Sequence, residues 1–396
     1  MKVLYHHRTQ AEDGQAVHIR SLIRAFEALG HDVREVGLVK QREGSAKPNS
    51  TVEGRSRWGW VTKLPRFARE LAEYGYNGVA RSKLIGEARD YAPDLIYERY
   101  AFGNAAGVLT SKKLGIPMVL EVNSPMVVEL SKTRGLSFPK LARDLENYIF
   151  RSATKVCVVT EVLRGMLLEL GCDPERVFVT PNGVHPHLYD FPDQAAARQA
   201  ARASLGLTDR HAGVVLGFVG YYRPWHRLDR ALDALTDPAL GDARLVLIGE
   251  GPAHEELEAR AAELGVTDRL HFAGRRAHDE IPSLLPAFDV ALVPAINPYA
   301  SPLKLHEYMA AGVASIAPDQ PNLREVLTHE SDALLVDPTD DDALRQAIVR
   351  LVTDESLRNR LGAAGRRTIE VDDLTWEGNV RRVLAALESN DNAKVA

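Results

Sequence analysis

The feature that most constrains the fold of this chain is an alternation of short apolar runs with amphipathic helical stretches, which occurs twice. The apolar runs are rich in β-branched residues and predict strands, and the stretches between them have the period of a helix. Such alternation is typical of a parallel sheet that is covered by helices on both faces. Because the pattern starts again near residue 213, the sequence predicts an α/β fold with two such sheets.

The predicted elements follow one another closely along both halves. Strands are predicted at 2–5, 33–36, 94–97, 118–122, 155–159, 177–180, 214–219, 244–248, 271–273 and 290–293. Helices are predicted at 15–29, 161–170, 229–235, 255–264, 281–287, 303–311 and 343–351. Open α/β sheets bind ligands outside the carboxyl ends of their strands, so the segments that follow predicted strands are the candidate binding regions.

Length predicts the domain organisation. A chain of 396 residues is longer than one hydrophobic core ordinarily supports, which favours two domains of similar size. The stretch 190–212 is rich in Ala, Arg and Asp and is interpreted as a connection with a peripheral helix. Two strand–helix arrays in one chain leave a central cleft, which is where we expect the ligand.

Composition argues against several classes of protein. Charged residues make up 26% and the formal net charge is -5, so a surface built to hold nucleic acid is not expected. The apolar run at the N-terminus is too short for a signal-peptide core, and no run approaches a membrane span. Cys157 and Cys172 lie in unrelated settings, as expected for inert thiols in a reducing compartment. We therefore expect a cytoplasmic protein.

The most informative stretch begins at Ser301. Ser301 is a good N-cap residue and Pro302 suits the first helical position, which leaves the backbone N–H groups of Leu303 and Lys304 without helical partners. Such a helix end binds phosphate. Glu307 lies one turn further along, where a carboxylate could accept hydrogen bonds from two ribose hydroxyls. The alternative is an ordinary capped helix with a solvated glutamate.

Basic residues follow the first strand of the second half. After Gly220, the side chains of Arg223, His226 and Arg227 are predicted to supply positive donors for a diphosphate. The alternative is a basic surface turn.

Two further strand ends carry glycine. Gly249-Glu250 and Gly274-Arg275 each follow a predicted strand, and glycine allows a close approach of the backbone to a ligand. Taken alone this signal is weak, because many strand-to-helix turns carry glycine for geometric reasons only.

In the first half, Gly14-Gln15 opens the first predicted helix and offers backbone N–H groups to an anionic part of a substrate. Asn123 follows a strand and faces either the cleft or its own turn. The fingerprint GxGxxG is absent, which disfavours a nicotinamide dehydrogenase.

No metal site is predicted. Asp340-Asp341-Asp342 precedes a predicted helix and more simply supplies negative charge to its N-terminus, and the 13 histidines show no ligand spacing. The segment 55–69 interleaves Trp58, Trp60 and Phe67 with basic residues, which suits contact with an anionic membrane surface. The alternative for this segment is a core-facing helix with a solvated basic side.

Together these stretches resemble the retaining GT-B glycosyltransferases of the group 1, or family four, type, which include many bacterial mannosyl-, glucosyl- and N-acetylglucosaminyltransferases. The resemblance runs from the loop at Gly14 to Trp376 and the helix after it. It also includes the segments 181–184, 220–227, 249–252 and 301–312. It implies the GT-B fold, with two Rossmann-like domains that face a central cleft.

The resemblance also implies domain boundaries and roles. An acceptor-binding domain would span 1–188 and a nucleotide-sugar-binding domain 189–372, while 373–396 would form a helix that returns to the first domain. The resemblance implies that the donor is bound by residues at three strand ends and at one helix start. These are Gly220, Gly249, Glu250, Arg275, Ser301, Pro302, Leu303 and Glu307. Gly14, Gln15 and Asn123 would bind the acceptor or the sugar, and Asn123 stands where commoner members have histidine.

This sequence departs from the family pattern at further positions. Tyr221 and His226 replace the usual arginine and lysine after the first strand of the second domain, so Arg223 is predicted to supply the missing charge. Tyr299 replaces the first of two paired glutamates, the second being Glu307.

The implied activity is metal-independent transfer of a hexose-type sugar, with retention, from a nucleotide diphosphate sugar. The acceptor would be a glycan, a lipid-linked molecule or a small molecule, and no cofactor is expected. In such enzymes the leaving diphosphate takes the acceptor proton, and Arg223, His226 and Lys304 would stabilise its growing charge. The alternatives are a nucleotide-sugar isomerase or hydrolase and a catalytically silent sugar-nucleotide binding protein.

Overall fold

The computed structural model describes residues 1–9, 14–37, 64–207 and 213–395. Its strands are β1 Lys2–His6, β2 Asp32–Val36, β3 Leu95–Arg99, β4 Met118–Val122, β5 Lys155–Val158, β6 Val177–Val179, β7 Val215–Val219, β8 Arg244–Ile248, β9 Leu270–Gly274, β10 Val290–Leu292, β11 Ala314–Pro318 and β12 Leu334–Val336. Its helices are α1 Gly14–Ala28, α2 Arg66–Tyr91, α3 Ala106–Leu114, α4 Met126–Thr133, α5 Pro139–Ser152, α6 Glu161–Glu169, α7 Gln194–Ser204, α8 Leu228–Ala234, α9 His254–Glu263, α10 Ile281–Leu284, α11 Leu303–Ala310, α12 Pro321–Arg324, α13 Asp341–Thr353, α14 Glu355–Val371 and α15 Trp376–Val395.

The chain divides into two compact units. The N-terminal unit comprises Met1–Pro181 together with Trp376–Ala396, and the C-terminal unit comprises Asn182–Thr375. These divisions fall close to the predicted ones after residues 188 and 372. Within the described ranges, no helix has both the length and the apolar character needed to cross a bilayer.

The N-terminal unit contains a six-stranded parallel sheet in the order β2-β1-β3-β4-β5-β6. Strands β3 and β4 are buried at every residue because they lie inside the sheet and helices cover both of its faces. The strand order reverses direction between β1 and β3, a topological switch point at which α/β sheets form ligand crevices.

The C-terminal helix α15 packs within the N-terminal unit. The ring of Trp376, which begins α15, packs edge-on against the ring of His18 in α1, with 4.7 Å between the centroids. Val380 and Val383, one and two turns further along α15, are fully buried. This apolar side of α15 therefore serves the core of the N-terminal unit.

The C-terminal unit contains a second six-stranded parallel sheet, in the order β12-β11-β10-β7-β8-β9. One core lies between this sheet and α7, α10 and α11, and the other between the sheet and α8, α9 and α13. Here the strand order reverses between β7 and β10, which is therefore the switch point of this unit.

The predicted α/β fold with two parallel sheets is confirmed, and the predicted strands lie within two residues of observed ones. One predicted helix is shorter than expected. The helix predicted at 281–287 ends at Leu284 and continues as a 3-10 turn, because Pro286 cannot donate the next backbone hydrogen bond.

Candidate functional site

The C-terminal unit brings the segment after β7 next to the start of α11. Val219 N–H donates to the hydroxyl of Tyr308 in α11 at 2.8 Å, which ties the helix to the strand end. Gly220 has φ 143°, and a Cβ atom there would lie 2.9 Å from Nζ of Lys304. The Lys304 ammonium therefore lies directly against the backbone at the switch point.

The predicted cap of α11 is wrong in detail. The helix starts at Leu303 with Pro302 as its N-cap residue, and no side chain caps it. The hydroxyl of Ser301 instead accepts a hydrogen bond from Asn182 N–H at 3.0 Å, and the Asn182 side chain donates to the Ser301 carbonyl. The tertiary contact with the turn at Asn182 thus takes Ser301 away from the helix end, which stays open to a ligand.

Lys304 occupies an apolar setting. Its Nζ lies 3.7 Å from the centroid of the Phe218 ring, a cation–π contact. Burial lowers the pKa of Lys304 to about 7, and the nearby Glu307 carboxylate only partly opposes this shift. Lys304 is also the only lysine between Lys155 and Lys394. An anion at this site would restore the charge that burial disfavours.

Glu307 is buried, with 7% of its surface exposed, which excludes the alternative of a solvated glutamate. Its Oε1 lies 3.4 Å from Nε2 of His278. Burial raises the pKa of Glu307, while His278 and Lys304 oppose that shift. Burial raises the pKa of Tyr189, and the Glu307 charge adds to that shift. The role of Glu307 in ribose binding stays a prediction.

The prediction that His226 is a cation is wrong. Burial, with the charges of Lys304 and Arg223, lowers the pKa of His226 to about 3, so the ring is neutral at pH 7. Its Nδ1 accepts a hydrogen bond from Arg223 N–H at 3.3 Å, and its ring packs on Phe218 and Trp225. His226 therefore supports the backbone at Arg223 and brings no charge.

The two arginines of the same segment differ. Arg223 is exposed, stacks on the Tyr221 ring with Cζ 5.0 Å from the centroid, and has no carboxylate partner among the described residues. Arg227 pairs with Asp229 at 3.1 Å. Arg223 is thus the arginine of this segment that stays available to an anion.

The glycines after β8 have a structural reason. A Cβ atom at Gly249 would lie 2.0 Å from the Gly220 carbonyl oxygen, and one at Gly251 would lie 2.3 Å from the Tyr222 nitrogen. Packing of the two neighbouring loops therefore accounts for both glycines without a ligand. Glu250 and Arg275, both predicted to bind the donor, form an exposed ion pair at 3.4 Å.

The N-terminal unit has a cavity of about 140 Å³ at the carboxyl ends of β1, β3 and β4. It brings together two predicted acceptor residues, Gln15 and Asn123. The predicted residue Gly14 begins α1 beside Gln15. Two arginines that were not predicted, Arg8 and Arg99, also line this cavity.

A buried glutamate organises the base of this region. Glu121 in β4 accepts hydrogen bonds from Arg99, from the Asn123 amide and from the Tyr97 hydroxyl, the last at 3.0 Å. Nε2 of His18 lies 3.2 Å from the same carboxylate. Burial alone would raise the pKa of Glu121, but the charges of His18 and Arg99 and the hydrogen bonds hold it far below its usual value.

The residues that sequence reasoning missed carry a recognisable signal. Arg99 and Glu121 stand opposite each other in the register of β3 and β4, two buried strands in which Glu98 is the only other charged residue. Charged residues are rarely buried without a partner, so a charge in each of two consecutive buried strands could have indicated a pair. His278 had no such signal, because only the fold brings its loop to Glu307.

The aspartates at 340–342 act on the helix that follows them. The Asp340 carboxylate accepts from Asp342 N–H at 2.8 Å as the N-cap of α13, while Asp341 pairs with Arg230 and Asp342 with Arg345. In the part of the chain that the structure describes, no three His, Cys, Asp or Glu residues converge to hold a metal ion.

The predicted membrane-contact segment lies partly outside the described residues, since 55–63 is not among them. Phe67, in the first turn of α2, is 54% exposed. Membrane contact through this segment stays a prediction.

Two family models match this chain. The model for glycosyl transferases group 1 matches residues 207–368, and the model for glycosyltransferase family 4 matches residues 13–188. A D-inositol 3-phosphate glycosyltransferase of Salinispora tropica is 30% identical over 323 residues, which is 78% of this chain and 66% of that protein. An MMP alpha-(1->4)-mannosyltransferase of Mycolicibacterium hassiacum is 25% identical over 95% of this chain and 94% of its own length.

The fold has close counterparts among solved structures. HepE of Anabaena superposes with a TM-score of 0.72 at 18% identity, covering 98% of this chain and 100% of HepE. Its fold and the two family models agree with the paired parallel sheets described above. The chain therefore belongs to the group 1 glycosyltransferases of GT-B fold.

Proposed function

We propose that this chain transfers a hexose-type sugar from a nucleotide diphosphate sugar to an acceptor hydroxyl, with retention of anomeric configuration. The observation that carries the proposal is the position of Lys304. Its ammonium lies against Gly220 at the switch point, on the first turn of α11, whose N-terminus no side chain caps. This arrangement suits a diphosphate, because a helix N-terminus and a cation both favour negative charge.

The positive charge at this edge comes from three sources. The open N–H groups of α11 and the Lys304 ammonium would bind the diphosphate, and the exposed guanidinium of Arg223 would reach it from the β7 loop. His226, being neutral, would act as a positioning residue through its hydrogen bond to Arg223 N–H. The negative charge on the diphosphate grows as it leaves the sugar. The positive groups therefore stabilise the transition state more than they stabilise the bound donor.

Glu307 would bind the ribose of the donor. Its carboxylate can accept two hydroxyl hydrogen bonds, and His278 at 3.4 Å helps to keep it ionised against the effect of burial. In the proposed reaction the leaving diphosphate takes the proton of the acceptor hydroxyl on the same face of the sugar. No protein nucleophile is assigned. No metal cofactor is included, because the helix dipole, Lys304 and Arg223 supply the positive charge.

The related proteins support a nucleotide-sugar donor and a polar acceptor. HepE has been solved with UDP and with UDP-glucose. The relatives from Salinispora and Mycolicibacterium are named for transfer to D-inositol 3-phosphate and for alpha-(1->4) mannosyl transfer. We propose that the acceptor of this chain is a glycan, a lipid-linked molecule or a small molecule with a free hydroxyl.

A donor screen followed by product analysis tests this proposal. UDP-, GDP- and dTDP-sugars are first ranked by the thermal stabilisation of the full chain, since a tight donor stabilises the fold by mass action. The selected donor is then incubated with an acceptor panel, with and without EDTA, and the anomeric configuration of the product is read by NMR.

We expect an α-linked product from an α-linked donor, at the same rate in EDTA. A product of inverted configuration would refute retention, and loss of rate in EDTA would refute metal independence. Consumption of the donor without acceptor, yielding an epimer or free sugar, would instead indicate the isomerase or hydrolase. Donor stabilisation without transfer to any acceptor would indicate a binding protein.

A further inference from the structure

The cavity at the ends of β1, β3 and β4 has an unusual balance of charge. Its walls include two arginines, Arg8 and Arg99, together with the amides of Gln15 and Asn123 and the hydroxyl of Ser124. None of the described residues that line it carries a carboxylate. Two guanidinium groups, with no acid among the described wall residues, favour an anionic ligand.

Arg8 lacks the ion-pair partner that Arg99 has within the described ranges. Its Nη1 donates to the Phe102 carbonyl at 3.3 Å, and its Cζ lies 4.7 Å from the centroid of the Tyr76 ring. Within the described ranges it forms no ion pair. Burial lowers the pKa of Arg8, which means that its surroundings compensate the charge only in part.

The carboxylates that influence Arg8 from a distance already have their own partners. Glu73 binds the guanidinium of Arg134 through both oxygens, at 3.0 and 2.8 Å. Glu98 pairs with His6 in the buried interior. Both carboxylates raise the pKa of Arg8 from a distance, but within the described ranges neither forms an ion pair with it.

Arg99 is held differently. It pairs with Glu121, whose oxygens also accept from Asn123 and Tyr97, so this carboxylate is divided among several donors. Glu121 is not among the residues that line the cavity. The pair thus fixes the Arg99 side chain at the cavity wall.

The fold adds to the positive potential here. The cavity lies at the switch point between β1 and β3, and Gln15 on its wall is in the first turn of the 15-residue helix α1. The dipole of a helix is positive at this end. The helix and the two arginines therefore act on a ligand in the same direction.

We infer that this cavity binds a phosphate or carboxylate group carried by the acceptor substrate. The inference rests on the proposed function and narrows the acceptor to an anionic class. A volume of about 140 Å³ is well below the ~300–1,000 Å³ of pockets that enclose a whole small-molecule ligand, so it suits one anionic group. The same chemistry could also come from the diphosphate of the donor, and the experiment separates the two sources.

The test compares the full-length wild-type chain with Arg8→Gln, Arg8→Lys and the control Arg89→Gln. Arg8 is chosen over Arg99 because loss of Arg99 would leave Glu121 buried without its cation. Arg89 is exposed on α2, away from the cavity. Isothermal titration measures the Kd of inorganic phosphate and, separately, of the sugar nucleotide selected in the donor screen.

We expect Arg8→Gln to weaken phosphate binding by about tenfold to hundredfold, as for loss of one charged hydrogen-bonding group. Arg8→Lys should recover part of the loss, and Arg89→Gln should match the wild type. The Kd of the sugar nucleotide should stay within about twofold in all variants. In the transfer assay, phosphate should compete with the acceptor and not with the donor.

Three results would overturn the inference: a wild-type chain that does not bind phosphate, an Arg8→Gln chain that binds it as tightly as the wild type, or a loss of donor affinity equal to the loss of phosphate affinity. The last would assign the anion to the donor. Unfolding of Arg8→Gln is checked by its melting temperature, and Arg8→Lys then carries the comparison. Arg8-dependent phosphate binding by a chain that consumes no sugar nucleotide would support the anion site and refute the proposed function.

Discussion

Each unit places charged side chains near the switch point of its parallel sheet, but the surroundings of these charges differ. The clearest contrast is between Glu121 in the N-terminal unit and Lys304 in the C-terminal unit. In the N-terminal unit, Glu121 is matched by Arg99, His18 and two further donors. In the C-terminal unit, Lys304 rests on an aromatic ring, and the described residues offer it no ion pair. The Glu121 charge is therefore compensated within its own unit, whereas Lys304 lacks an ion-pair partner among the described residues, and a ligand can supply one.

The pKa values of Glu121 and Lys304 reflect this contrast. The pKa of Glu121 is held far below its usual value despite burial, so its ionised form stabilises the fold. The pKa of Lys304 is lowered to about 7 and that of Glu307 is raised, so burial opposes the charged form of both. Removing a charge should therefore have opposite effects on stability in the two units.

The largest expected effect is a loss of stability when the Glu121 charge is removed. Glu121→Ala should destabilise the N-terminal unit by about 3–5 kcal/mol, because it leaves Arg99 buried without its carboxylate. Urea unfolding followed by hydrogen exchange, resolved by peptide, measures this effect separately in each unit. The matched control is Glu161→Ala, since Glu161 is 60% exposed and pairs with Arg164 on the surface. That variant should change stability by less than about 1 kcal/mol. Equal effects of the two substitutions would contradict the comparison.

The next effect is a loss of turnover when the Lys304 charge is removed. Lys304→Met should lower turnover by about 100- to 1,000-fold, as expected for loss of one preorganised group that stabilises charge. The free energy of unfolding of the C-terminal unit should stay the same or rise, because the substitution removes a charge that burial disfavours.

Turnover and unfolding are measured on the same preparation of Lys304→Met, with Arg367→Met as the control. Arg367 is exposed on α14. A variant that loses activity only because the C-terminal unit unfolds would show that Lys304 is structural. Wild-type turnover would remove it from the donor site.

The smallest of these effects is a pH dependence. The negative charge of a bound diphosphate raises the pKa of Lys304, so the donor should bind with uptake of a proton near pH 7. Donor affinity should fall as pH rises above 7, by up to about tenfold per pH unit. The stability of the unliganded unit should change in the other direction. Between pH 7 and the unfolded-state pKa, the unfolded chain holds more protons at Lys304, and stability rises with pH.

Titration calorimetry from pH 6 to 9, in two buffers of different ionisation enthalpy, measures both the Kd of the sugar nucleotide and the protons taken up. Lys304→Arg is the control, because arginine stays charged over this range. It should flatten the profile. A wild-type affinity that is constant from pH 6 to 9 would show that Lys304 does not meet the diphosphate.

The α/β class, the two sheets and most strand positions could be predicted from the sequence, because apolar periodicity is a local property. The strand orders could not be, and they determine that β1 lies beside β3 and β7 beside β10. The segments that contain Gly220 and Lys304 were both singled out, yet their contact depends on this order. Ser301 shows the limit of local rules, since a good N-cap residue instead binds the turn at Asn182.

The pattern of residues along the chain was sufficient for the architecture and for the family, since hydrophobic periodicity and motif spacing act over short stretches. Ionisation depended on the fold. His226 became neutral, Lys304 lost much of its preference for a proton and Glu121 kept its charge, although all three are ordinary titratable residues in the sequence. The physical reason is that desolvation and partner charges are properties of a three-dimensional neighbourhood, which forms only when distant strands pack together.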